Sequence, residues 1–240
     1  MKISIIVPAY NEEKNLADAI NGLCVALKNK EMFDQCEIII FNDCSSDMTG
    51  EIADRLANDN PIIRVFHNKK NMGLGYNFKE GVRVAKGEYI TWLPGDNENL
   101  ADSFVETLSY AGKTDIIIPF TSNQKIRPFS RRFISNIYTM ANNLLFGLNL
   151  KYYNGLSVYK REFLRALLPQ MTHSFAFSAE IIINLLKSGA TYIEVPVKIK
   201  PRTSSRSSAF KIKNIIGTIK AIIKLFWNVR IKKKRISVKK

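Results

Sequence analysis

Residues 89–100, YITWLPGDNENL, decide how this sequence is interpreted, because an apolar run ends abruptly at Pro-Gly and two carboxylates, Asp96 and Glu98, follow it. The apolar part has the length and composition of a strand buried in a sheet. Two acids this close repel each other, and taking them out of water is costly unless something positive lies between them. The stretch therefore predicts a buried strand that ends at a ligand-binding edge.

The same pattern of strand and polar loop recurs on both sides of this stretch. The other apolar strand candidates in the first half are KISIIVP (2–8), CEIIIFND (36–43), IIRVFHN (62–68) and TDIIIPF (114–120). Segments with helical periodicity separate them, so strand and helix alternate five times within about 120 residues. This rhythm predicts right-handed βαβ units and an α/β fold, with a mixed, mostly parallel sheet and helices on both faces.

Beyond residue 120 the rhythm changes. The sequence predicts a long helix with a basic start, then a turn with a short strand and a helix, a further helix and a strand, over residues 127–147, 152–168, 177–189 and 191–202. A polar break at 203–208, TSSRSS, precedes a final helix. We therefore expect one domain over residues 1–208 and a basic tail over residues 209–240.

The positive charge of the chain is concentrated in that tail. The 240 residues carry 36 Lys and Arg against 21 Asp and Glu, a net charge of +15. Residues 198–240 hold 15 of the cations and no acid, whereas residues 1–197 carry 21 of each sign. Such asymmetry predicts an anionic partner surface, either a membrane or a nucleic acid.

The cysteines and the apolar segments bear on the compartment. Cys24, Cys36 and Cys44 are odd in number and lack metal-type spacing, which indicates reduced thiols in a cytosolic protein. The first residues turn acidic too soon for a signal peptide, and no stretch of about 18 uncharged apolar residues predicts a spanning helix.

Polar loops follow four of the predicted strands, at 7–13, 41–47, 67–75 and 93–99. Ligands of open parallel sheets bind beyond the carboxyl ends of the strands, so these loops predict a site that includes Asp43, Asp96 and Glu98. The alternative is that Asp, Asn and Ser merely cap the following helices. The first loop has no glycine, which disfavours a Rossmann dehydrogenase, and no P-loop motif is present. Asp96 and Glu98 suit a divalent cation, Mg²⁺ or Mn²⁺, that holds a diphosphate.

Several motifs in order resemble the GT-A core of inverting family 2 glycosyltransferases: IIVPAYNEEKNL (5–16), FNDCSSDMTGEIA (41–53), residues 68–90 and LPGDNE (93–98). Motifs of the second half are similar to the dolichol-phosphate-mannose synthase branch, namely SRRFISNIY (130–138), NGLSVYKREFL (154–164), residues 177–202 and RTSSRSS (202–208). The resemblance covers roughly residues 2–208. It implies transfer of a sugar from a nucleotide donor to a polyprenyl phosphate.

For the donor, the resemblance implies that Pro8, Tyr10 and Glu12 line the nucleoside pocket. It further implies that Asp43 binds the base or ribose. The glycines of the third loop, Gly73 and Gly75, would let the backbone approach the donor.

For the diphosphate and the acceptor, the resemblance implies that Asp96 binds the metal and diphosphate, with Glu98 as a second metal ligand. Arg131 and Ser135, one helical turn apart on one face, would grip the acceptor phosphate. Arg202 would pair with the donor diphosphate, and Ser207 would lie in a mobile loop.

The sequence departs from the family pattern at several positions. Pro94 stands where the first acid of an Asp-x-Asp motif is expected, and Asn42 and Cys44 replace an acid and a glycine of the second loop. Ser205 and Ser208 replace the Gly and Lys of the R-x-x-G-x-S-K loop motif. These changes bear on metal dependence and on the identity of the donor.

The chemistry of the acceptor distinguishes two enzyme hypotheses. A sugar hydroxyl needs a positioned carboxylate base, for which Glu180 is the candidate. A phosphate monoester, with a second pKa near ~6, is already ionised at pH 7 and needs a cationic grip instead. Arg127, Arg131 and Arg132 supply such a grip at a helix start, where cations are otherwise unfavourable. The alternative for these arginines is a solvated basic face.

The tail has the pattern of an amphipathic helix. Seven apolar residues share one helical face, with lysines away from it: Ile212, Ile215, Ile216, Ile219, Ile222, Ile223 and Phe226. With RIKKKR at 230–235, this is typical of a helix lying on an anionic membrane leaflet. The alternative is a helix packed on the domain's own core. No motif that reads nucleic acid accompanies the charge, so no nucleic-acid partner is expected.

Together these patterns predict a peripheral enzyme at the cytoplasmic face of a membrane, acting on a nucleotide-sugar donor and a polyprenyl phosphate, with room for an integral membrane partner. Two alternatives stay open: transfer to a saccharide hydroxyl in surface-polysaccharide assembly, and a non-catalytic membrane-bound scaffold of the same fold. Pro94 keeps the scaffold open, whereas Asp43, Asp96 and Arg202 argue against it.

Overall fold

A computed structural model describes residues 2–97, 99–172, 176–200 and 212–236. Within these residues, seven strands form one sheet in the order β3-β2-β1-β4-β6-β5-β7. The strands are β1 Ile3–Ala9, β2 Cys36–Asn42, β3 Ile63–His67, β4 Tyr89–Trp92, β5 Ile116–Thr121, β6 Val158–Lys160 and β7 Tyr192–Val197.

The sheet is mixed and mostly parallel, as the alternating pattern predicted. β1 pairs in parallel with β2 and β4, β2 with β3, and β5 with β7. The short strand β6 runs antiparallel between β4 and β5.

The central strands are apolar on both faces because helices cover both faces. Along β1, Ile5 and Val7 face one hydrophobic core, and Ile6, between them, faces the other. Helix α3 lies close over Ile6, since a Cβ on Gly81 would stand under 3 Å from that side chain. A larger residue at 81 would therefore force helix and strand apart.

The helices of the described ranges fall into two layers. Core residues of α1, α2 and α4 pack on one face of the sheet, and those of α3, α5, α6, α7 and α8 pack on the other. Their bounds are α1 Leu16–Asn29, α2 Thr49–Asp59, α3 Leu74–Val84, α4 Ala101–Leu108, α5 Phe129–Phe146, α6 Arg161–Leu167, α7 Phe177–Lys187 and α8 Ile212–Phe226. None of them, so far as the structure describes the chain, is both long and apolar enough to cross a bilayer.

The order of the strands reverses between β1 and β4. From β1 the chain moves outward through β2 to β3, then returns to the other side of β1 with β4. The loops after β1 and β4 therefore diverge and leave a crevice, which is where doubly wound sheets bind ligands. The stretch at residues 93–97 follows β4 at this crevice.

The C-terminal helix divides its apolar residues between two environments, which the single face drawn from the sequence did not anticipate. Ile222 and Phe226 pack against the core, where Leu225 and Val229 are buried. By contrast, Ile216, Ile219 and Ile223 are exposed. Five residues of π-helix, Trp227–Ile231, continue α8. The expected domain boundary at 208/209 lies outside the described residues, as do the side chains of Ile212 and Ile215.

Candidate active site

The loops after β1 and β2 are joined by hydrogen bonds at the carboxyl edge of the sheet. The backbone N–H of Asn11 donates to Ser45 Oγ at 3.0 Å, and that of Glu12 donates to Thr49 Oγ1 at 2.7 Å. In return, Asn11 Oδ1 accepts from the N–H of Ser46 at 2.9 Å. These bonds hold the predicted nucleoside residues Tyr10 and Glu12 beside the second loop, with Tyr10 half exposed.

Asp43 connects the second loop to the third. Its Oδ1 accepts from Asn68 Nδ2 at 2.7 Å and from the Met72 N–H at 2.8 Å, and its Oδ2 accepts from the Gly73 N–H at 2.7 Å. The carboxylate is 3% exposed, and three donors compensate for its burial. Asp43 thus fixes the shape of the glycine loop that leads into α3.

Gly73 and Gly75 have different roles in this loop. Gly73 has φ 83°, a left-handed conformation that side chains rarely adopt, and it directly precedes α3. Gly75 is buried in the first turn of the helix. Gly73 therefore brings the backbone to the sheet edge beside Asp43, and Gly75 begins the helix that follows.

Asn42 stands where the family pattern carries an acid. Its Oδ1 accepts from the Ser45 N–H at 3.1 Å, and its Nδ2 lies 3.0 Å from His67 Nδ1. His67 Nε2 lies 3.0 Å from Asp54. The amide thus shapes the turn after β2 and links it to β3.

The loop after β4 carries Asp96 to the crevice. The N–H of Gly95 donates to the carbonyl of Pro8 at 3.3 Å, which joins this loop to the one after β1. A Cβ on Gly95 would lie 3.3 Å from Leu16, so little space exists there for a larger residue. Asn97 follows with φ 53°. Asp96 is half buried, between the loop after β1 and a large cavity.

That cavity has a volume of about 730 Å³ and is lined by Pro94 and Asp96 together with parts of α4, α5, α7 and α8. Much of its wall is apolar, and it includes Trp92 and Phe177, whose ring centroids lie 5.5 Å apart. Tyr138 also lines it, and burial raises the pKa of this phenol well above its usual value, so the hydroxyl stays protonated.

The charged side chains along this cavity are predominantly basic. Among the described residues they are Asp96, Arg127, Arg131, Lys198 and Lys200. Arg127 donates to the Tyr152 hydroxyl at 3.1 Å and lies over its ring. Four cations against one acid favour a ligand that carries negative charge.

Arg131 and Ser135 both line this cavity, so the structure brings together the pair that the sequence placed on one helical face. Arg132, the third arginine of the run, does not line it and instead lies over the Phe129 ring at 5.7 Å. The grip expected from three arginines therefore involves two, Arg127 and Arg131.

The site has two halves along one edge. Pro8, Tyr10, Glu12, Asp43, Gly73 and Gly75 belong to the loops after β1, β2 and β3 and do not line the cavity; Asp96, Arg131 and Ser135 do. Since β4 is paired to β1, Asp96 lies at the border of the two halves. This is where a group shared by two substrates would react.

Glu180, the candidate base for a hydroxyl acceptor, lies elsewhere. Its carboxylate is buried and both oxygens accept from Thr172 Oγ1, at 2.8 and 2.6 Å. It borders a second, small pocket and is not among the residues lining the large cavity. A general base must reach the proton that it removes, so this position does not favour a role for Glu180 on a ligand of the cavity.

Three predicted site residues, Glu98, Arg202 and Ser207, lie outside the described residues, as do Ser205 and Ser208. The described residues contain no group of three or more His, Cys, Asp or Glu that could hold a metal ion. The single carboxylate of Asp96 nevertheless fits a metal ion, because Mg²⁺ is commonly held by one or two carboxylates, with substrate phosphates and water completing its shell. Pro94 supplies no ligand to it.

Some residues of the site are not predicted by the sequence patterns. Asn68, which bonds both Asp43 and Asn77, and Tyr152, which holds Arg127, contact partners at least nine positions away. Lys198 and Lys200 follow β7 and line the cavity, whereas the sequence analysis counted them only as part of the positive charge of residues 198–240. The position after a strand was an available signal for these two lysines, as it was for Asp96.

Most of the chain matches one known protein family. Residues 4–168 match the sequence profile described as Glycosyl transferase family 2.

Curated relatives match over longer stretches at low identity. Glycosyltransferase AglD of Haloferax volcanii is 23% identical over 97% of this chain, which spans 38% of that protein's length. The dolichyl-phosphate β-glucosyltransferase ALG5C of Trichomonas vaginalis is 26% identical over 81% of the chain and 63% of its own length. The undecaprenyl-phosphate mannosyltransferase of Micrococcus luteus is 24% identical over 86% of the chain and 87% of its length.

Solved structures share the fold. The mannosyltransferase PcManGT from Pyrobaculum calidifontis, in complex with GDP-Man and Mn²⁺, has a TM-score of 0.66 at 18% identity, covering 93% of this chain and 64% of that one. Glucosyl-3-phosphoglycerate synthase from Mycobacterium tuberculosis, in complex with Mn²⁺, UDP and glucosyl-3-phosphoglycerate, has a TM-score of 0.63 at 16% identity over 95% of this chain and 79% of that one. The expected GT-A-type fold is thereby confirmed.

Proposed function

Because this chain belongs to glycosyltransferase family 2, we propose that it transfers a sugar from a nucleotide-diphosphate sugar to a polyprenyl phosphate, with inversion at the anomeric carbon. One observation carries the choice of acceptor: Asp96 borders a large cavity that is apolar over much of its wall and basic in its charged residues. Relatives named for dolichyl phosphate and undecaprenyl phosphate support the same acceptor class.

The donor occupies the loops after β1, β2 and β3 in this proposal. Asp43 keeps the glycine loop in place through the N–H groups of Met72 and Gly73, and Tyr10 offers a half-exposed ring for a base. The donor diphosphate then extends toward Asp96, at the crevice between β1 and β4. Arg202 and Ser207 are proposed to complete the donor site.

The acceptor phosphate lies against Arg127, Arg131 and Ser135, and its lipid follows the apolar wall of the cavity. A phosphate monoester is mostly ionised at pH 7 and needs orientation more than deprotonation. Arginine is suited to this because its planar fork binds two phosphate oxygens at once. These residues orient the acceptor and reduce its repulsion from the donor diphosphate.

Transfer then proceeds as a single displacement. An unesterified oxygen of the acceptor phosphate attacks the anomeric carbon from the side opposite the diphosphate. The new carbon–oxygen bond forms as the bond to the donor diphosphate breaks, and the nucleoside diphosphate leaves with the bonding electrons. The basic wall acts by positioning the acceptor and by stabilising the shifted negative charge.

A divalent cation, Mg²⁺ or Mn²⁺, is proposed to be held by Asp96, with Glu98 as a second ligand. When bound, it would neutralise the negative charge that develops on the diphosphate. A structure similar to this chain is in complex with Mn²⁺ and UDP, which supports the choice of metal.

Two other functions are less well supported. Transfer to a saccharide hydroxyl needs a carboxylate base, and Glu180 is bonded to Thr172 outside the large cavity. A non-catalytic scaffold does not account for an acid and several cations around one cavity beside a preformed glycine loop.

We further propose that residues 1–208 form the transferase domain and residues 209–240 a basic tail, through which the protein works peripherally on the cytoplasmic face of a membrane. The acceptor class supports this, since polyprenyl phosphates reside in membranes. An integral membrane protein is a compatible additional partner, and nucleic acid is not expected.

A screen of nucleotide sugars by thermal unfolding, with and without Mn²⁺, tests the donor half. A donor at 100 times its dissociation constant should stabilise the protein by about 2.7 kcal/mol. We expect one donor to stand out, with Mn²⁺ increasing the shift in the parent and not in Asp96→Asn. No stabilisation by any nucleotide sugar would contradict the proposal.

A further inference from the structure

Helix α5 exposes an apolar stripe that the cavity does not use. Phe129, Phe133, Met140 and Leu144 are between 55% and 83% exposed, and they recur at spacings that place them on one helical face. None of the four lines the cavity, whereas Arg131 and Ser135 of the same helix do. The helix therefore presents one side to the cavity and a second, apolar side to the exterior.

Helix α8 and its π-helical continuation expose a second stripe. Ile216, Ile219, Ile223, Trp227 and Ile231 are between 48% and 64% exposed, and Ile219 also lines the cavity. On its other side the segment is anchored, since Leu225 and Val229 are buried in the core. The exposed stripe is thus held by the body of the protein and does not need the helix to detach.

The two helices meet at their carboxyl-terminal ends. The rings of Phe146 in α5 and Phe226 in α8 are 6.2 Å apart. About two turns earlier in each helix, Tyr138 and Thr218 line the same cavity. Both helices therefore border the cavity that holds Asp96 and Arg131.

A cluster of cations lies where the two helices end. A Cβ on Gly147, at the end of α5, would be 3.9 Å from Arg230 Nη1 and 4.0 Å from Lys187 Nζ. Lys187 donates to the Gly147 carbonyl at 3.2 Å, and Arg235 to the Val229 carbonyl at 3.0 Å. Burial, and then the charges of Arg230 and Arg235, lower the pKa of the Lys187 ammonium. The carbonyl acceptors of these side chains are uncharged, so the positive charge of Lys187, Arg230 and Arg235 favours binding of an anion.

We propose that α5 and α8 together form one docking surface for an anionic lipid bilayer. The two apolar stripes enter the interfacial region, and the cluster of Lys187, Arg230 and Arg235 binds lipid headgroup phosphates together with the exposed Lys232, Lys233 and Lys234. This extends the proposed membrane association from the tail to the body of the domain, and it rests on the proposed membrane-bound acceptor.

Charge and composition favour a bilayer over a protein partner. The sequence has no acid after Glu194 and none between Asp115 and Glu162, so α5, α8 and the residues that follow α8 carry charge of one sign, which complements an anionic leaflet. Aromatic side chains at the boundary, here Phe129, Phe133 and Trp227, are typical of segments that lie in a membrane interface. Docking in this way would bring the cavity between the helices to the surface where a lipid acceptor resides.

The test uses the full chain and vesicles without acceptor lipid, either neutral phosphatidylcholine or a mixture with phosphatidylglycerol. The stripe variant is F133Q/M140Q/L144Q, and the cluster variant is R230Q/K232Q. Matched controls sit at α1, on the other face of the sheet: V25Q for the stripe, and K14Q/K30Q for the cluster, all at exposed positions. Co-sedimentation measures binding, and thermal stabilisation by a donor checks each fold. Leu144→Gln alone, at the most exposed position, serves if the triple variant does not fold.

We expect the stripe variant to lose about tenfold or more in binding to both vesicle types. The cluster variant should lose about fivefold for each charge on anionic vesicles only, and both α1 controls should bind like the parent. Parent-like binding of the stripe variant, equal losses in the controls, or a stripe-dependent dimer without vesicles would overturn the proposal. Normal vesicle binding, but no transfer when a polyprenyl phosphate and a donor are added to the vesicles, would instead count against the proposed function.

Discussion

At the scale of single residues, the proposed chemistry depends most on Asp96. It lies between the loop after β1 and the cavity, and the hydrogen bond from the Gly95 N–H to the Pro8 carbonyl holds its loop there. The charge of this side chain, rather than its shape, is what the proposal uses. A substitution that keeps shape and removes charge therefore isolates its contribution.

Asp96→Asn should lower the transfer rate by about 10²-fold or more, because the neutral amide is a poor ligand for the cation that would stabilise the leaving diphosphate. The melting temperature should change little, since the residue is half buried at a loop. Asp102→Asn, at an exposed position of α4, is the matched control and should stay active. An Asp96→Asn enzyme of parental activity would refute the site assignment.

Arg131 and Glu180 report on the chemistry of the acceptor. Arg131→Ala should raise the KM for polyprenyl phosphate while leaving donor binding unchanged, because Arg131 lines the cavity that is proposed to bind the acceptor. Arg132→Ala removes the same charge one residue away and should have a smaller effect, since Arg132 does not line that cavity. Steady-state kinetics in both substrates measure the difference.

If Glu180→Gln inactivates the enzyme and Arg131→Ala is silent, a hydroxyl acceptor becomes the better hypothesis. We expect Arg131→Ala to impair transfer and Glu180→Gln to leave it active. Any effect of Glu180→Gln should be on stability, because the substitution changes the hydrogen bonds from Thr172.

The sequence identified those residues whose placement is local. Arg131 and Ser135 share a helical face because of the four-residue spacing, and Asp96 follows a strand, so both placements could be predicted. The bonds from Asn68, Met72 and Gly73 to Asp43 could not, because they depend on which strands become neighbours.

At the scale of elements, the amino ends of the first strands are joined by one acid. Glu37 Oε1 accepts from Ser4 Oγ and from the Lys86 N–H, both at 2.5 Å, and its Oε2 accepts from Arg64 at 3.0 Å. Burial alone would raise the pKa of Glu37, but these bonds and the charge of Arg64 lower it overall. A carboxyl with a lowered pKa stabilises the fold when it is ionised.

Glu37→Gln should therefore cost about 1–3 kcal/mol of unfolding free energy at pH 7. Because the folded pKa is lowered, this stabilisation is present above the unfolded value of about 4.3 and is lost as the pH falls through the folded pKa. Denaturant unfolding at pH 7 and below pH 4 measures it, with the exposed Glu106→Gln as control. A difference between parent and variant that does not shrink in acid would contradict this account.

The alternation of strand and helix was sufficient to predict the parallel part of the sheet, since each unit has its own periodicity. The insertion of β6 between β4 and β5 was beyond that pattern. A three-residue strand carries too little sequence to specify its neighbours or its direction. The division of α8 into a buried and an exposed side has a similar cause, because isoleucine suits either environment.

At the scale of the whole molecule, the tail is part of the body. Leu225, Val229 and Ile236 are buried, and Phe226 packs against Phe146. The amphipathic pattern alone left membrane and core as alternatives, and the structure shows that one side of the helix meets the core. This changes what a truncation would test.

Deletion of residues 210–240 should lower the melting temperature as well as vesicle binding, because fully burying an aliphatic side chain contributes about 1.5–3 kcal/mol. Calorimetry and co-sedimentation measure the two effects separately. A truncated protein of parental stability would show that α8 does not pack as described.

The central claim is that the accepting group is a lipid phosphate, and product analysis tests it most directly. Labelled donor is incubated with the full chain, Mn²⁺ and anionic vesicles that contain either a polyprenyl phosphate or the matching polyprenyl alcohol. We predict labelled lipid only with the phosphate, as a sugar phosphodiester of inverted anomeric configuration that mild acid releases. Label on the alcohol or on an added saccharide, and none on the lipid phosphate, would contradict the account.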